Sequence, residues 1–302
     1  MDIDFDWIAS RCVSALLLEV ATTPKPGLVD RYSDFHETLF EHFLISSSSL
    51  YSCFRESAEI GYKKLGRGLG EVVYRGARNM ITSQRGGNTH LGALLLISPL
   101  ACASALSRSK PLSMGGLRKN LKIILSRMDW KDTIHIFNAL KIVGPRGLRR
   151  IPFMDIFSDE TYDEIKRLRL KPVDALKPFV NIEVVAHEWV RLYSRTMYGA
   201  SQLIKNIEKM SMRNALAQTF LQLLSKYLDT HILKRGGKPL AERVSYMASK
   251  ILELGGVNNR EGLKMLRELD LSMRKSWRTR PGATADLLAS SIAVVLLSGY
   301  TF

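Results

Sequence analysis

Apolar residues along this chain recur mainly at helical spacing. The pattern predicts helices over roughly 5–21, 40–65, 70–83, 91–106, 115–127, 131–142, 159–169, 182–208, 212–228, 239–254, 259–276 and 284–299. Ser211 is the predicted cap of the helix that carries Phe220, Leu223, Leu224, Tyr227 and Leu228. No run alternates apolar and polar residues between hairpin turn signals. The expected fold class is therefore all-α, a single multi-helix orthogonal bundle. One all-helical catalytic domain is expected over 1–302, with a less regular basic insertion at about 108–170. That insertion carries Pro111, Pro145 and Pro152 among clustered bases, notably Arg146, Arg149 and Arg150.

Two stretches, Leu91 to Leu106 and Leu287 to Ser298, hold no charge and read as helices buried on most sides. Both fall short of the roughly 20 residues that a membrane-spanning helix needs, and the first contains Pro99. The N-terminus opens on Asp2, Asp4 and Asp6, the opposite of a secretory leader. The expectation is a cytoplasmic protein with no membrane partner.

At 302 residues, 46% hydrophobic and 24% charged, the chain can build a large core without staples. Cys12, Cys53 and Cys102 show neither disulfide nor metal-ligand spacing, so they read as buried thiols in a reducing compartment. The one unusual bulk property is a net charge of +15. Such a field attracts polyanions: nucleic acid, anionic lipid or phosphorylated small molecules. A solvated face with no ligand gives the same number.

Candidate chemistry lies where helices stop or start. Four segments combine Gly or Pro with polar and basic groups: Thr23 to Asp30 (TPKPGLVD), Arg85 to Gly92 (RGGNTHLG), Asp229 to Pro239 (DTHILKRGGKP) and Arg280 to Leu288 (RPGATADLL). Gly86 and Gly87 allow a ligand close to the backbone, and Asn88 or Thr89 is expected to cap the helix that follows. A helix start offers unpaired N–H groups and a positive dipole end, which suits phosphate. Gly282, Thr284 as a cap and Asp286 in the first turn repeat that logic. A well-capped helix start with no ligand would look the same.

Two carboxylates conflict with their predicted surroundings. Glu19 shares the apolar stripe of the first helix with Ile8, Cys12 and Ala15, where a charge needs a partner. Asp229 is expected at a helix C-terminus, where the dipole disfavours it by a few tenths to about 1 kcal/mol. Such inconsistencies are expected at functional sites, and an ordinary salt bridge is the competing reading. None of the six histidines has zinc-site spacing. His135 and His187 lie inside helical patterns. His36, His90 and His231 lie in or beside the polar segments.

In this order, the four segments resemble the triphosphoribosyl-dephospho-CoA synthases. Glu19 precedes Pro24-Lys25-Pro26-Gly27-Leu28-Val29-Asp30, and His36 follows. Gly86 to Gly92 is similar to the family's GVNTHKG, Asp229 to Gly237 to its DTNVLxRGG, and Arg280 to Ala289 to its SPGGSADLLA. The chain departs from the pattern at Thr38 and Phe40, where acids are usual, and at Leu91 for Lys, His231 for Asn and Ala283 for Gly. Between about 107 and 211 little of the pattern can be placed. Only Gly144-Pro145-Arg146-Gly147 echoes the family's GxRGEA.

The resemblance implies an enzyme that moves the triphosphoribosyl group of ATP to the 2′-hydroxyl of dephospho-CoA, with adenine leaving. Lys25, Gly27, Gly86, Gly87, Asn88, Thr89, Arg235, Gly236, Gly237 and Gly282 are then candidates for holding substrate. Glu19 or His90 is the candidate general base, and His36 the candidate proton donor to adenine. Mg²⁺ is the expected companion of the nucleotide, with Asp229, Asp286 and Asp30 as candidate ligands and Glu19 as another. The departures leave two alternatives: the same transfer to another cofactor-type acceptor, or a protein that binds ATP without transfer. A basic, non-enzymatic nucleic-acid-binding protein is the reading from charge alone. No recognition motif or aromatic platform accompanies it.

Overall fold

The two uncharged stretches become the two central helices of an all-helical fold, described by a computed structural model over residues 3–107, 112–144 and 154–301. The elements are α1 (Phe5–Ala21), α2 (Phe40–Ser49), α3 (Tyr51–Lys64), α4 (Leu69–Thr82), α5 (Leu91–Ser104), α6 (Met114–Arg127), α7 (Trp130–Val143) and α8 (Asp159–Leu168). They continue with α9 (Pro172–Leu176), α10 (Val184–Val190), α11 (Ser194–Ile207), α12 (Met212–Lys226), α13 (Thr230–Glu253), α14 (Arg260–Leu271) and α15 (Gly282–Leu297). Among the described residues the only extended pairing is two isolated bridges, Asp30 with Ser33 and Phe35 with Thr38. The bases Arg146, Arg149 and Arg150 and the prolines Pro111, Pro145 and Pro152 lie outside the described residues. No described helix is long and apolar enough to cross a membrane.

Helix α5 is sheathed by α3, α4, α6 and α15, and α15 by α1, α11, α12 and α5. Nearly every side chain of both is buried, which is why neither shows a polar face. Pro99 sits inside α5 and has no N–H to give the Leu95 carbonyl one turn earlier. The buried Trp189 indole donates to that carbonyl instead, at 3.2 Å. Tyr193 donates its hydroxyl to the next one, Leu96, at 2.9 Å. A buried carbonyl left without a donor costs about as much as a lost hydrogen bond, so α10 and its end complete α5.

Several expected helices are divided or displaced, each for a local reason. The stretch 40–65 breaks at Leu50. In the preceding run Ser46, Ser47, Ser48 and Ser49 all turn their hydroxyls back onto carbonyls of α2, an alternative to continuing the backbone ladder. The stretch 182–208 breaks where Leu192 and Tyr193 take left-handed backbone. The buried Glu188 carboxylate then accepts the Thr196 N–H at 2.8 Å and closes the start of α11. The helix expected over 239–254 follows the non-helical backbone of Gly237 (φ 78°, ψ 174°), and a shorter helical stretch from Thr230 precedes it as the first part of the kinked α13. Ser211 caps α12 as expected, accepting from Asn214 N–H.

Helices α3 and α5 approach closely at Gly61. A Cβ there would collide with the Cys102 backbone carbonyl, and backbone cannot step aside as a side chain can. Gly61→Ala is therefore expected to lower stability by about 3 kcal/mol, the upper end of overpacking costs. Urea unfolding of the variant beside the parent checks it.

Candidate functional site

The starts of three helices, α5, α13 and α15, meet the C-terminal end of α1, and the motif residues sit at that junction. Asp229 is the N-cap of α13. Its Oδ1 accepts the N–H groups of His231 and Ile232 at 2.9 and 3.0 Å. Its Oδ2 accepts both the N–H and the hydroxyl of Thr284, at 2.7 and 2.8 Å. One carboxylate thus ties the start of α13 to the start of α15. The expectation of a carboxylate at a helix C-terminus is corrected: α12 ends at Lys226, and Asp229 belongs to the next helix, whose positive end favours it. Thr284 likewise is no cap. It lies inside α15, behind Pro281 at the cap position.

Glu19 and Lys25 are both buried and form a pair at 2.5 Å. The Lys25 ammonium also donates to the Glu19 carbonyl at 2.8 Å. It therefore caps the last turn of α1 while neutralising the carboxylate on its apolar stripe. Burial raises the Glu19 pKa and Lys25 opposes the rise. Removing one partner alone would leave a buried charge unpaired, at about 3–5 kcal/mol.

Asp286, in the first turns of α15, lies against the start of α5. A Cβ on Gly92 would fall on its carboxylate, so glycine is required for the contact. Burial first, then the charges of Glu19 and Asp229, push the Asp286 pKa well above the carboxylate range. The Ala93 N–H and Lys234 pull the other way. His231 packs on Gly282, where a Cβ would strike the imidazole. Burial lowers its pKa, and Asp229 partly offsets this. Three carboxylates of the motifs thus share one electrostatic neighbourhood with Lys25, Lys234 and His231.

His90 is buried at the cap position of α5. Its Nε2 lies 2.9 Å from the Ser47 hydroxyl and 3.2 Å from the Phe43 carbonyl, and Phe43 meets the ring edge-on. Burial lowers its pKa to about 4, with the Lys25 charge acting in the same direction. The imidazole is neutral at pH 7 and fastens α2 to the start of α5. Just before it, the Asn88 side chain accepts the Leu91 N–H at 3.1 Å, although the cap position itself falls at His90 rather than at Asn88 or Thr89. Thr89 instead donates to Ser46 at 2.8 Å. Gly86 is pressed against the His42 ring, whereas Gly87 (φ 75°) is exposed and a Cβ there would touch nothing within 4 Å.

The loop 24–38 is joined to this junction by Thr38, whose hydroxyl donates to the Gly86 carbonyl at 3.1 Å. Asp30 is buried, and its Oδ1 accepts the Tyr32 N–H at 2.9 Å. His36 is exposed on the turn closed by Phe35 and Thr38, and Arg235 and Gly236 are exposed on α13 before its kink at Gly237. The structure brings together Glu19, Lys25, His90, Asp229, Gly282 and Asp286. It places His36, Arg235 and Gly236 at the outer surface.

Sequence reasoning missed three supports. Gln84 donates to the Gly87 carbonyl at 2.8 Å and shapes the glycine turn. Lys234 pairs with Glu183 at 2.7 Å. Asp270 accepts the Gly27 N–H at 2.7 Å from a distant helix. The only signal for Asp270 was its spacing from Arg274, which any helical ion pair shares. A cavity of about 400 Å³ lies elsewhere, lined by Arg67, Ser126, Arg127, Met128, Asp129 and Lys171 and by none of the motif residues.

Among the described residues no group of three His, Cys, Asp or Glu side chains is arranged to hold a metal ion. The donor chemistry agrees. Both Asp229 oxygens are taken by backbone and hydroxyl donors, and Glu19 is paired with Lys25. Asp286 is the carboxylate whose local field favours an added cation. A Mg²⁺ held by one carboxylate, with phosphate oxygens and water for the rest, fits these residues, whereas an all-protein cage does not.

The chain is similar to known proteins over nearly its whole length. A family model described as ATP:dephospho-CoA triphosphoribosyl transferase matches residues 5–301. A Stutzerimonas stutzeri protein named as a 2-(5''-triphosphoribosyl)-3'-dephosphocoenzyme-A synthase is 28% identical over 296 residues, covering 94% of this chain and 89% of that one. A Pseudomonas putida protein of the same name is 26% identical over 297 residues, covering 95% and 93%. The fold is also that of an Archaeoglobus fulgidus crystal structure named for a triphosphoribosyl-dephospho-CoA synthase. The TM-score is 0.65 at 24% identity, over 85% of this chain and all of that one.

His90 gives a pH test of the junction. Unfolded, its imidazole takes up a proton near 6.5; folded, only near 4. Stability is thus expected to fall as pH drops from about 6.5 towards 4, with the His90 contribution fully present and independent of pH above that window. His90→Gln should be less stable at pH 7 and lose less between pH 6.5 and 4.5. Thermal melts of both proteins across that range check it.

Proposed function

The chain belongs to the ATP:dephospho-CoA triphosphoribosyl transferase family, and from that premise we propose that it transfers the triphosphoribosyl group of ATP to the 2′-hydroxyl of dephospho-CoA. The observation that carries the reading is the junction itself. Separated stretches of chain bring Asp229 and Asp286, with Glu19 from the end of α1, to the place where the starts of three helices meet. Such starts favour a polyanionic substrate, and acids suit a reaction in which positive charge develops on a sugar.

In the proposed reaction the C1′–N9 bond of ATP breaks and a bond forms from C1′ to the acceptor oxygen. The hydroxyl proton is taken up on the enzyme, and adenine leaves with a proton. The triphosphate stays on the transferred ribose. The proposed phosphate contacts are the turn at Gly86 and Gly87 and the exposed Arg235, a reading supported by the open space at Gly87, where a Cβ would touch nothing within 4 Å. Lys25 is already engaged with Glu19, so its proposed work is to hold that carboxylate in place. Glu19 is the better proton acceptor of the two candidates. The His90 Nε2 is shared between Ser47 and Phe43, and the low basicity of this ring suits it poorly to removing a hydroxyl proton. Mg²⁺ would be held by Asp286, supplying charge neutralisation at the triphosphate when bound.

The deciding experiment is chromatography of adenine released from ATP with Mg²⁺, with and without dephospho-CoA. Adenine is expected only with dephospho-CoA; none in either mixture overturns the proposal. Asp286→Asn separates chemistry from folding. It removes one of three mutually repelling carboxylates, so its melting temperature is expected to equal or exceed that of the parent. Its turnover should fall by about a hundredfold or more. A parallel loss of both would make Asp286 a folding residue.

A further inference from the structure

Helix α14 runs into a π-helical turn, Ser272–Ser276, in which Trp277 N–H bonds the Ser272 carbonyl at 2.8 Å. Asp270 and Arg274 stand on either side of that junction and are partly buried. The Arg274 Nε donates to both Asp270 oxygens, at 2.8 and 3.0 Å. Neither side chain ends there. Asp270 Oδ1 also accepts the Gly27 N–H at 2.7 Å, and Arg274 donates to the carbonyls of Leu28 and, at 3.2 Å, Asp34. The guanidinium centre lies 4.8 Å from the centre of the Phe35 ring. Met273, between the two, packs on Gly27, whose φ of 73° suits glycine.

One ion pair therefore holds three backbone groups of the loop 24–38. An ordinary helical pair at this spacing binds only its own helix and contributes a few tenths of a kcal/mol. Two residues before Gly27 lies Lys25, whose ammonium is bound to Glu19. The same strand of chain continues from Arg274 through Arg280, which lies 3.4 Å from the Phe35 ring centre and pairs with Glu37 at 2.7 Å, into α15 and Asp286. The π turn is thus where the chain carrying one acid of the junction grips the loop carrying the other acid's lysine. Single π turns inside helices frequently mark functional sites.

We propose that Asp270 and Arg274 form a positioning clamp that fixes the Pro24–Asp30 loop, and through Lys25 the Glu19 carboxylate, relative to Asp286. This rests on the transfer reaction proposed above. The clamp touches no reacting atom, so its loss should lower kcat and leave KM for ATP nearly unchanged. A displacement of about 1 Å in such a site costs up to a hundredfold.

The test uses Arg274→Ala and Asp270→Asn with three readouts. In adenine release, kcat is expected to fall about 10- to 100-fold, with KM for ATP within about threefold. Added guanidinium should restore Arg274→Ala at least about fivefold and leave Asp270→Asn unaffected. Trypsin should cut after the exposed Arg31 about tenfold faster in both variants than in the parent, read by mass spectrometry, because the loop opens without global unfolding. Unchanged kcat overturns the clamp, as does a kcat loss that guanidinium does not rescue and that tracks a fall in melting temperature. If the parent releases no adenine, the proposed reaction fails but the trypsin arm still decides. Unchanged cutting at Arg31 would then overturn the clamp.

Discussion

The carboxylate of Asp229 is the constraint on which the rest of the site depends. It accepts four hydrogen bonds, two from the start of its own helix and two from Thr284 at the start of α15. Hydrogen bonds to a charged acceptor are each about twice as strong as neutral ones. Buried and bound on both oxygens, this group sets the separation of two helix starts. With α15 so placed, Asp286 falls on Gly92 and Ala93 at the start of α5. The third helix start is thereby set by the second.

Two helices without polar faces make this arrangement rigid. Each of α5 and α15 is packed on nearly all sides, so neither can roll to relieve strain at its start. The polar work is displaced to their ends. There, dipoles, caps and buried acids accumulate within one small volume. The repulsion among Glu19, Asp229 and Asp286 is offset in part by Lys25 and Lys234. Burial first, and then the repulsion that remains, leaves Asp286 inclined to take up a proton.

The loop 24–38 shows how weak local order becomes firm through distant contacts. Its extended pairing is limited to two isolated bridges. Thr38 ties it to Gly86, Lys25 to α1, and Asp270 with Arg274 to the end of α14. Each contact uses a backbone group or a single side chain, and together they bring residues from both ends of the chain to one place.

Much of this was legible in the residues before folding was considered. The helical period, the two uncharged stretches and the Ser211 cap follow from spacing and local chemistry, and the all-helical class follows from them. The four motif segments were recognisable because glycine and proline gather there with polar and basic residues, at helix ends or, for Gly237 and Pro239, at a kink within α13. Glu19 announced a partner because a carboxylate on an apolar stripe must have one. Which partner it has, and where Asp229 belongs, could not be read there. Asp229 lies between two helices, and only the capping geometry decides which one it serves. The break at Tyr193 likewise depends on packing, with the buried Glu188 carboxylate taking the Thr196 N–H, whereas the break at Leu50 and the kink at Gly237 follow from the serines and the glycine found there. Hydrophobic period and capping chemistry are local, so sequence alone determined most of the helices and the all-helical class. The pairing of Glu19 with Lys25, the bridge from Asp229 to Thr284 and the grip of Arg274 on Leu28 join residues by packing, and only the tertiary structure could decide them.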